Sequence, residues 1–402
     1  MNVERKIKRL LFIQDGYPIH GSTSCVFVRN LIVALVKKRI ECVVISPQIF
    51  KGKKTIPYYQ EDHIEKDKMV KVYSPYYCFL SSHPLALKYS MENHTNAVIR
   101  TIKAEKIEFD AIYGHFIYQC GLTAAKVGVE FCKPAFLAAG ESDKLLPNNT
   151  RNRGAYTTGI YKYHWAEILD SLTGVICVSE WTKKLLLDGG FISSLKPMEV
   201  FPNGIDKSIF HTEEKKIIRK KLNIREDIFI VIYVGAFNDN KGYRRVSEAI
   251  REIETNDVYS IFIGRQEGDI PKCENILYCG TCDNKKVAEY LQCADCFVLP
   301  TRSEGCCNAI LEALACGLPI ISSDKPFNDG ILDKSNSIRI DPDDIDAIKT
   351  AIIKIKDDGN ARTTLSLGAQ IKSSDFDIDI RASRIIEFLE KHSDVYYHSY
   401  KI

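Results

Sequence analysis

The chain has 402 residues, which exceeds one ordinary domain and leaves room for two. Hydrophobic residues make up 45% and charged residues 27%, which is typical of a globular protein and excludes a disordered or fibrous one. The net charge of +3 is too small for the basic surface of a nucleic-acid-binding protein, so we expect no nucleic-acid partner.

The sequence predicts no membrane-spanning or secretory segment. No apolar run approaches the roughly 18 residues that cross a bilayer. The first residues are basic and polar, and the apolar run at 10–13 is too short for a signal peptide. We therefore expect a cytoplasmic protein whose 14 cysteines are thiols and not disulfides.

Short apolar runs alternate with helical patterns along the whole chain, which predicts an α/β fold with parallel sheets. In the first half, the predicted strands cover 10–13, 42–45, 111–113, 135–138 and 175–178. In the second half, they cover 229–234, 260–263, 296–299 and 319–321. Pro202-Asn203-Gly204 marks a turn between the halves. We therefore predict a first domain at 1–203 and a second at 204–379, and the resemblance described below implies that a last helix at 380–402 belongs to the first domain.

The loop after the first predicted strand, residues 15–24, is rich in glycine and hydroxyl groups and precedes a predicted helix. Backbone N–H groups in such a loop can surround an anion, and Gly21 and Ser22 are the candidates. An ordinary strand-to-helix turn is the alternative.

Polar residues also follow two later strands of the first half. His115 ends one of them, and Gly140-Glu141-Ser142-Asp143 follows the next. Ligands of open α/β sheets bind outside the carboxyl ends of strands, so His115 is a candidate for ligand contact. A structural histidine is the alternative for His115, and a charged loop is one interpretation of Glu141 and Asp143.

Two segments of the first half, 50–91 and 151–165, combine aromatic and basic residues. Aromatic rings with polar tips beside cations suit a sugar acceptor or an anionic membrane surface. A packed surface helix with a long loop would have the same composition, so both interpretations stay open.

In the second half, Lys241 lies in a loop that follows a predicted strand and precedes a predicted helix. A lysine there is a point charge suited to a diphosphate leaving group, and Gly235 begins the same loop. Arg245 lies four residues further on the same helix face. It would add a second cation or, as the alternative, be a solvated helix residue.

Two cysteine pairs, Cys279-x2-Cys282 and Cys293-x2-Cys296, have the spacing of a zinc site. Cys296 begins an apolar strand and Cys293 ends a helical pattern, so we expect both to be core residues. The Asp-x-Asp strings at 341–346 and 377–379 lie far along the chain from the other motifs, so we expect no metal.

The most informative string runs from Ser303 to Pro319, directly after a predicted strand. Gly305 allows a tight turn, and Gly317 with Pro319 stops the helix that follows it. The start of a helix attracts phosphate, since its backbone N–H groups are unpaired and carry partial positive charge. Glu304 and Glu312 flank this helix start, which suits a nucleotide that carries a sugar.

Glu304-x7-Glu312 followed by Ala313-x-Ala315-Cys316-Gly317-x-Pro319 resembles the signature of the retaining GT-B glycosyltransferases of family 4. Residues 202–206, Pro-Asn-Gly-Ile-Asp, are similar to the linker between the two domains of that family. The resemblance covers most of the chain, from the first strand to about residue 345. It implies a GT-B fold, in which two Rossmann-like domains with parallel sheets face a central cleft.

The resemblance also implies roles for the candidate residues. Glu304 would lie beside the transferred sugar, Lys241 would bind phosphate, and His115 would face the donor sugar. The implied donor-binding residues are Gly21, Ser22, Gly235, Arg245, Gly305, Cys306, Cys307, Asn308 and Glu312, with Glu312 on the ribose. The implied acceptor-binding residues are Glu141 and Asp143. Two positions depart from the family: Ala236 replaces an arginine of the phosphate site, and 140–143 lack the histidine of a His-Gly-Ser-Asp motif.

The expected activity is transfer of a sugar, with retained configuration, from a nucleoside diphosphate sugar to a hydroxyl of a glycan or lipid-linked glycan. We expect a UDP-sugar as donor, surface polysaccharide biosynthesis as context, and neither metal nor other cofactor. Peripheral contact with the inner face of an anionic membrane and a fully soluble enzyme both stay open. The alternatives in function are a GT-B nucleotide-sugar epimerase and a non-catalytic sugar-binding subunit.

Overall fold

The computed structural model describes residues 6–18, 25–53, 55–65, 67–80, 84–141, 145 and 159–399. At 84–85, 159–163 and 397–399 it describes the backbone alone. The chain forms two compact units. Unit 1 comprises Met1–Pro202 with Asp379–Ile402, and unit 2 comprises Asn203–Ile378. Each boundary lies one residue from the predicted one.

Unit 1 is built on a sheet of eight strands. The strands of the unit are Arg9–Ile13 (β1), Glu41–Ile45 (β2), Gln48–Ile49 (β3), Tyr59–Glu65 (β4), Lys68–Tyr73 (β5), Tyr76–Tyr77 (β6), Ala111–His115 (β7), Ala135–Ala139 (β8), Gly174–Cys177 (β9) and Met198–Val200 (β10). The sheet has the order β10-β9-β8-β7-β1-β2-β5-β4, in which only β4 and β5 pair antiparallel. The strands β3 and β6 form a separate parallel pair.

Besides the last helix of the chain and a short π-helix at Ile117–Gly121, the described part of unit 1 has five α-helices: Val26–Lys37 (α1), Pro84–Ala104 (α2), Leu122–Phe131 (α3), Gly159–Asp170 (α4) and Glu180–Asp188 (α5). The central strands β1, β7 and β8 are apolar and buried along almost their whole length, because helices cover both faces of a parallel sheet. Since these three strands are neighbours and parallel, the residues that follow them share one edge of the sheet.

Unit 2 has a six-stranded, all-parallel sheet. Its strands are Phe229–Val234 (β11), Val258–Ile263 (β12), Ile276–Gly280 (β13), Cys296–Leu299 (β14), Ile320–Ser323 (β15) and Ser337–Ile340 (β16). Their order is β13-β12-β11-β14-β15-β16, so β11 and β14 lie side by side at the point where the chain order reverses. Its helices are Lys215–Lys221 (α6), Tyr243–Arg251 (α7), Asn284–Cys293 (α8), Asn308–Ala315 (α9), Ile345–Asp357 (α10) and Gly359–Ser373 (α11).

The last helix of the described chain is Ile378–Ser399 (α12). Its apolar residues Ile385, Ile386, Phe388 and Leu389 are all buried. The ring of Phe388 lies 5.9 Å from that of Phe136 on β8, and Lys6 N donates to Glu390 at 3.2 Å. The helix therefore packs on unit 1. None of the helices in the described ranges is long and apolar enough to cross a membrane.

The hairpin of β4 and β5 was not predicted. In β4 only Gln60 is buried, and Ile64 is the one aliphatic residue, so the strand lacks an apolar run. It pairs at the edge of the sheet, where one strand face and one backbone edge meet solvent.

Candidate active site

Two loops meet at the carboxyl ends of β11 and β14 in unit 2. Arg302 N donates to Asn240 O at 2.9 Å, and Asn240 Nδ2 donates to Ser303 O at 3.2 Å. Lys241 N donates to Asn238 Oδ1 at 3.0 Å, which shapes the turn before α7. The predicted lysine loop and the predicted glutamate loop are thus joined by hydrogen bonds.

Glycines permit this close approach of backbone segments. A Cβ atom at Gly264, after β12, would lie 1.8 Å from Gly235 O, so no larger residue fits there without movement. Gly242 has φ +81°, in the region that favours glycine, and a Cβ atom there would lie 2.7 Å from Pro300 O. Both glycines therefore set the positions of the two loops.

Lys241 Nζ and Glu304 Oε1 form an ion pair between these loops. Thr301 Oγ1 donates a second hydrogen bond to Glu304 Oε1 at 3.2 Å. The two charged side chains are only 23% and 14% exposed, so the pair lies at the surface of a recess where charges interact more strongly than in bulk water. The structure brings together two predicted catalytic residues that are 63 positions apart.

Glu312 lies on α9, one turn after Asn308 at the helix start and on the same face. Asn203 Nδ2 donates to Asn308 Oδ1 at 2.8 Å and holds that helix start in place. Burial raises the pKa of Glu312 to about 8. Among the residues described, none donates a hydrogen bond to its carboxylate or forms an ion pair with it. A ligand hydroxyl would satisfy this carboxylate.

Cys306 and Cys307, predicted to bind the donor, are buried next to Gly305 in the turn before α9. Burial raises the pKa of the Cys307 thiol to about 12, so the thiol is neutral. Any contact of these cysteines with a donor would be through backbone groups, as for Gly305 and Gly235.

Arg245 is 8% exposed, so its interpretation as a solvated helix residue is wrong. Its guanidinium donates to Pro300 O at 2.8 Å and to Asp239 O at 3.1 Å, and burial lowers its pKa. Arg245 therefore joins the loop of Asp239 to the segment of Pro300 after β14 by hydrogen bonds. A contact between Arg245 and phosphate stays a prediction.

Arg302 is a cation in this site that the sequence did not single out. Its guanidinium forms an ion pair with Asp239 and donates to Asp343 Oδ1 at 2.8 Å through Nε. The aspartates of the strings at 341–346 thus have partners within the protein. Asp343 accepts from Arg302, and Asp344 accepts from Ala347 N and so caps the start of α10. The sequence could have revealed Arg302, since it lies only two residues before Glu304.

In unit 1, His115 ends β7 with its side chain buried against aromatic rings. Its ring centroid lies 4.6 Å from that of Phe116 and 5.3 Å from that of Phe27. Neither ring nitrogen has a hydrogen-bond partner in the described part of the chain. Burial, with the positive charge of Arg381, lowers the pKa of His115 to about 3. The imidazole is therefore neutral and has hydrogen-bonding capacity left for a ligand.

A buried polar network at the same sheet edge was missed. His94 Nε2 lies 3.0 Å from Asp15 Oδ1, after β1, and His94 Nδ1 lies 2.7 Å from Thr123 Oγ1. Asp15, His94 and Cys120 are the one group of three potential metal ligands found among the described residues, and Asp15 N donates to Cys120 Sγ at 3.3 Å. His94 is 79 positions from Asp15 in the middle of a long helix, so no spacing motif reveals the network.

Glu141 lies in the loop after β8 and is buried. Its carboxylate accepts from Ile117 N at 2.6 Å and from Gly140 N at 3.3 Å, and it thereby holds the turn that follows β7. Contact of Glu141 with an acceptor stays a prediction. Gly21, Ser22 and Asp143 lie outside the described residues.

The paired cysteines of unit 2 are separated by burial. Cys293 and Cys296 lie inside the core at the end of α8 and the start of β14, as predicted, whereas Cys279 is exposed. Burial raises the pKa of Cys296, consistent with a neutral thiol that fills the core.

Comparisons with known proteins show which proteins the chain is similar to. Residues 214–371 match the family model for glycosyl transferases group 1. The putative teichuronic acid biosynthesis glycosyltransferase TuaC of Bacillus subtilis is 30% identical over 86% of this chain and 88% of its own length. The UDP-Gal:alpha-D-GlcNAc-diphosphoundecaprenol alpha-1,3-galactosyltransferase of Escherichia coli is 27% identical over 49% of this chain and 55% of its own length.

Among solved structures, sucrose-phosphate synthase from Thermosynechococcus elongatus has the same fold, with a TM-score of 0.75 and 17% identity. The alignment covers 94% of this chain and 97% of that one. The predicted GT-B fold class, with its parallel α/β sheets, is confirmed.

Proposed function

The chain belongs to the group 1 glycosyl transferases, and from this premise we propose which reaction it performs. It moves a sugar, with retention of configuration, from a nucleoside diphosphate sugar to a hydroxyl of a glycan or lipid-linked glycan. A UDP-sugar is the favoured donor, since the name of the Escherichia coli relative specifies one.

The ion pair of Lys241 with Glu304 is the observation that carries this proposal. It lies beside the start of α9, where backbone N–H groups favour an anion. A diphosphate that binds there competes for the Lys241 ammonium. Glu304 is then released from its cation and can accept hydrogen bonds from the hydroxyls of the sugar.

Glu312 would hold the ribose in this scheme. Its carboxylate lacks a described partner, and burial holds its pKa at about 8. Two hydroxyl donors of a ribose would satisfy the carboxylate and favour its charged form. The sugar, the diphosphate and the ribose would then occupy three successive positions along the loop and helix from Glu304 to Glu312.

The chemistry then depends on the leaving group. The bond between the anomeric carbon and the diphosphate oxygen breaks as the acceptor oxygen bonds to that carbon on the same face. The acceptor proton passes to the departing phosphate. Lys241 and the start of α9 stabilise the negative charge that develops on the diphosphate, and the neutral His115 offers a hydrogen bond to a sugar hydroxyl. No step needs a metal ion, so we expect EDTA to leave the rate unchanged.

Surface polysaccharide biosynthesis is the proposed context. The names of both relatives point to it: one is named for teichuronic acid biosynthesis and the other for a sugar on diphosphoundecaprenol. A lipid-linked acceptor would place the enzyme at the inner face of the membrane without a spanning helix.

Lys241→Met tests the proposal because methionine keeps the length of the side chain and removes its charge. We expect donor turnover to fall about 100-fold or more, as for the loss of one charge-stabilising donor in other active sites. Lys285→Met, at an exposed lysine on α8 with no described ion pair, is the matched control and keeps the wild-type rate. Equal turnover of the two variants would remove Lys241 from the chemistry.

A further inference from the structure

Unit 1 contains a cavity that the proposed chemistry does not use. It has a volume of about 700 Å³ and lies between the β3–β6 pair and α2. We call it the aromatic groove and define it by Phe50, Ile56, Tyr58, Tyr76, Tyr77 and Arg100. A cavity of this size holds one small ligand or one segment of a long one.

The polar groups of the groove wall are used within the protein. Tyr76 OH accepts from Ile56 N at 2.8 Å, Tyr58 OH donates to Glu105 Oε1 at 3.1 Å, and Tyr77 OH donates to Gln119 Oε1 at 2.7 Å. A sugar needs free donors and acceptors in its site. Because the hydroxyls of these tyrosines are already hydrogen-bonded, their rings offer an occupant mainly apolar contact, which suits a hydrocarbon chain.

Arg100 is the one charged residue among those that line the groove. It is exposed, and its Nε donates to Asn96 O at 3.2 Å. No carboxylate in the described ranges forms an ion pair with it. Two exposed lysines, Lys51 and Lys53, follow Phe50 and also lack described ion pairs. The Glu105 carboxylate beside the groove is bonded to Tyr58 and not to these cations. The groove thus presents a fork of N–H donors whose positive charge forms no described ion pair, which suits a phosphate.

Two of the side chains that line the groove are themselves exposed, Phe50 at 47% and Tyr58 at 43%, and Ile49 next to Phe50 is 40% exposed. Clusters of exposed aromatic residues beside cations are typical of surfaces that enter the headgroup region of a bilayer.

The groove is also connected to the sheet edge of unit 1 that bears the polar candidates. Tyr77 lines the groove, donates to Gln119 in the turn after β7, and has its ring 5.1 Å from that of His94. Two side chains, Tyr77 and His94, therefore connect the groove to Asp15.

We propose that the aromatic groove binds a phosphate-bearing membrane lipid, with the hydrocarbon chain against Phe50, Tyr58 and Tyr76 and the phosphate on Arg100. This deepens the proposed function and rests on it for one point, that the lipid held here carries the acceptor glycan. The groove's chemistry favours a lipid-linked acceptor over a free glycan.

Sedimentation with vesicles tests the proposal on the full chain. Wild type is expected to sediment with phosphatidylglycerol vesicles more strongly than with phosphatidylcholine vesicles. Phe50→Ser combined with Tyr58→Ser lowers the affinity for phosphatidylglycerol about tenfold, since two half-exposed rings lose apolar contact. Arg100→Gln lowers it about fivefold. Tyr58→Phe keeps the ring and binds as wild type does.

Matched controls separate the groove from general surface properties. Leu195→Ser removes an apolar side chain that is 92% exposed elsewhere on unit 1, and Lys285→Gln removes an exposed cation from unit 2. Both bind vesicles as wild type does. Circular dichroism and UDP affinity are measured on every variant, and unchanged values show that the fold and the nucleotide site are intact.

Three results would overturn the proposal: groove variants that sediment like wild type, release of the protein from vesicles by glycerol phosphate alone, and a change of oligomeric state in the groove variants. The second result would mean a headgroup site without a chain, and the third an interface between copies. Vesicle binding needs no transferase activity. Groove-dependent vesicle binding by a protein without donor turnover would thus refute the proposed function and leave this inference standing. Donor turnover by a protein whose vesicle binding does not depend on the groove would refute this inference and leave the proposed function standing.

Discussion

At the scale of single residues, the two glutamates of the candidate site differ in their bonding partners. Glu304 has a cation and a hydroxyl donor, whereas Glu312 has neither among the described residues, although both carboxylates belong to one short motif. In the proposed function, Glu304 exchanges its lysine for hydroxyls of the sugar, and Glu312 gains hydroxyl donors from the ribose. Nucleotide binding therefore tests Glu312 most sharply.

Glu312→Ala is expected to weaken nucleotide binding by about 1.5–3 kcal/mol, the usual effect of losing a hydrogen bond to a charged group. Calorimetry with UDP and GDP measures it. Glu254→Ala removes an exposed carboxylate of the same unit and serves as the control. Unchanged affinity of Glu312→Ala for the nucleotide that wild type binds would exclude Glu312 from the site.

The raised pKa of Glu312 also predicts how stability depends on pH. The unfolded chain releases this proton near the ordinary value of 4.5, whereas the folded chain keeps it up to about 8. Between these values the folded state binds more protons, so the contribution of Glu312 to stability falls as pH rises. In Glu312→Gln this contribution is absent. The variant should melt close to wild type at pH 5 and above it at pH 8.5, and equal differences at both values would contradict the shift.

Arg245 and Ala236 form the second test at residue scale. If Arg245 supplies the charge that the family places at 236, Arg245→Ala lowers turnover and adding Ala236→Arg partly restores it. Arg245 also ties Asp239 and Pro300, so thermal unfolding is followed in the same variants. If the double variant regains turnover but not thermal stability, the loss of turnover in Arg245→Ala is due to the lost charge. Turnover of Arg245→Ala at the wild-type rate would leave the phosphates to Lys241 or to another cation such as Arg302.

At the scale of elements, the site is made by the ends of strands and the start of one helix. The start of α9 is held by Asn203, in the segment that begins unit 2, through Asn308 and the carbonyl of Cys306. This bond explains why a Pro-Asn-Gly string far from the helix has a role beyond its turn. It positions the start of the helix at which we propose that the phosphate binds.

Asn203→Ala should therefore raise the KM for the donor and lower stability by about 1–3 kcal/mol, since it leaves the Asn308 side chain without its buried partner. Donor kinetics and thermal unfolding measure the two effects. Asn360→Ala, at an exposed position on α11, is the control and changes neither. A variant Asn203→Ala with wild-type KM and stability would show that the bond does not position α9.

Elements with a local signal could be predicted from the sequence, and those made by pairing at a distance could not. The strands 229–234 and 296–299 are continuous apolar runs and match the structure at both ends. The Lys241 and Glu304 loops were found because each lies beside such a strand. The hairpin β4–β5 lacks an apolar run, and the contact of His94 with Asp15 joins a helix centre to a distant loop, so neither has a sequence signature.

At the scale of the whole molecule, candidate groups are found in both units. Unit 2 carries the ion pair, the helix start and Glu312, and unit 1 carries the neutral His115, the polar network of Asp15 and the aromatic groove. The family assignment and the GT-B fold explain this division, since one sheet edge in each unit presents functional groups. Transfer to a lipid-linked acceptor is the activity that would use all of them.

The most direct test is transfer of label from a nucleotide sugar to lipid. Purified protein is incubated with ¹⁴C-labelled UDP-glucose or UDP-galactose and a butanol extract of bacterial membranes, and label is counted in the lipid phase while released UDP is measured. The account predicts label in lipid equal to UDP released, with both lost in Lys241→Met. Release of UDP or epimerisation of the sugar at the same rate without the extract would contradict it.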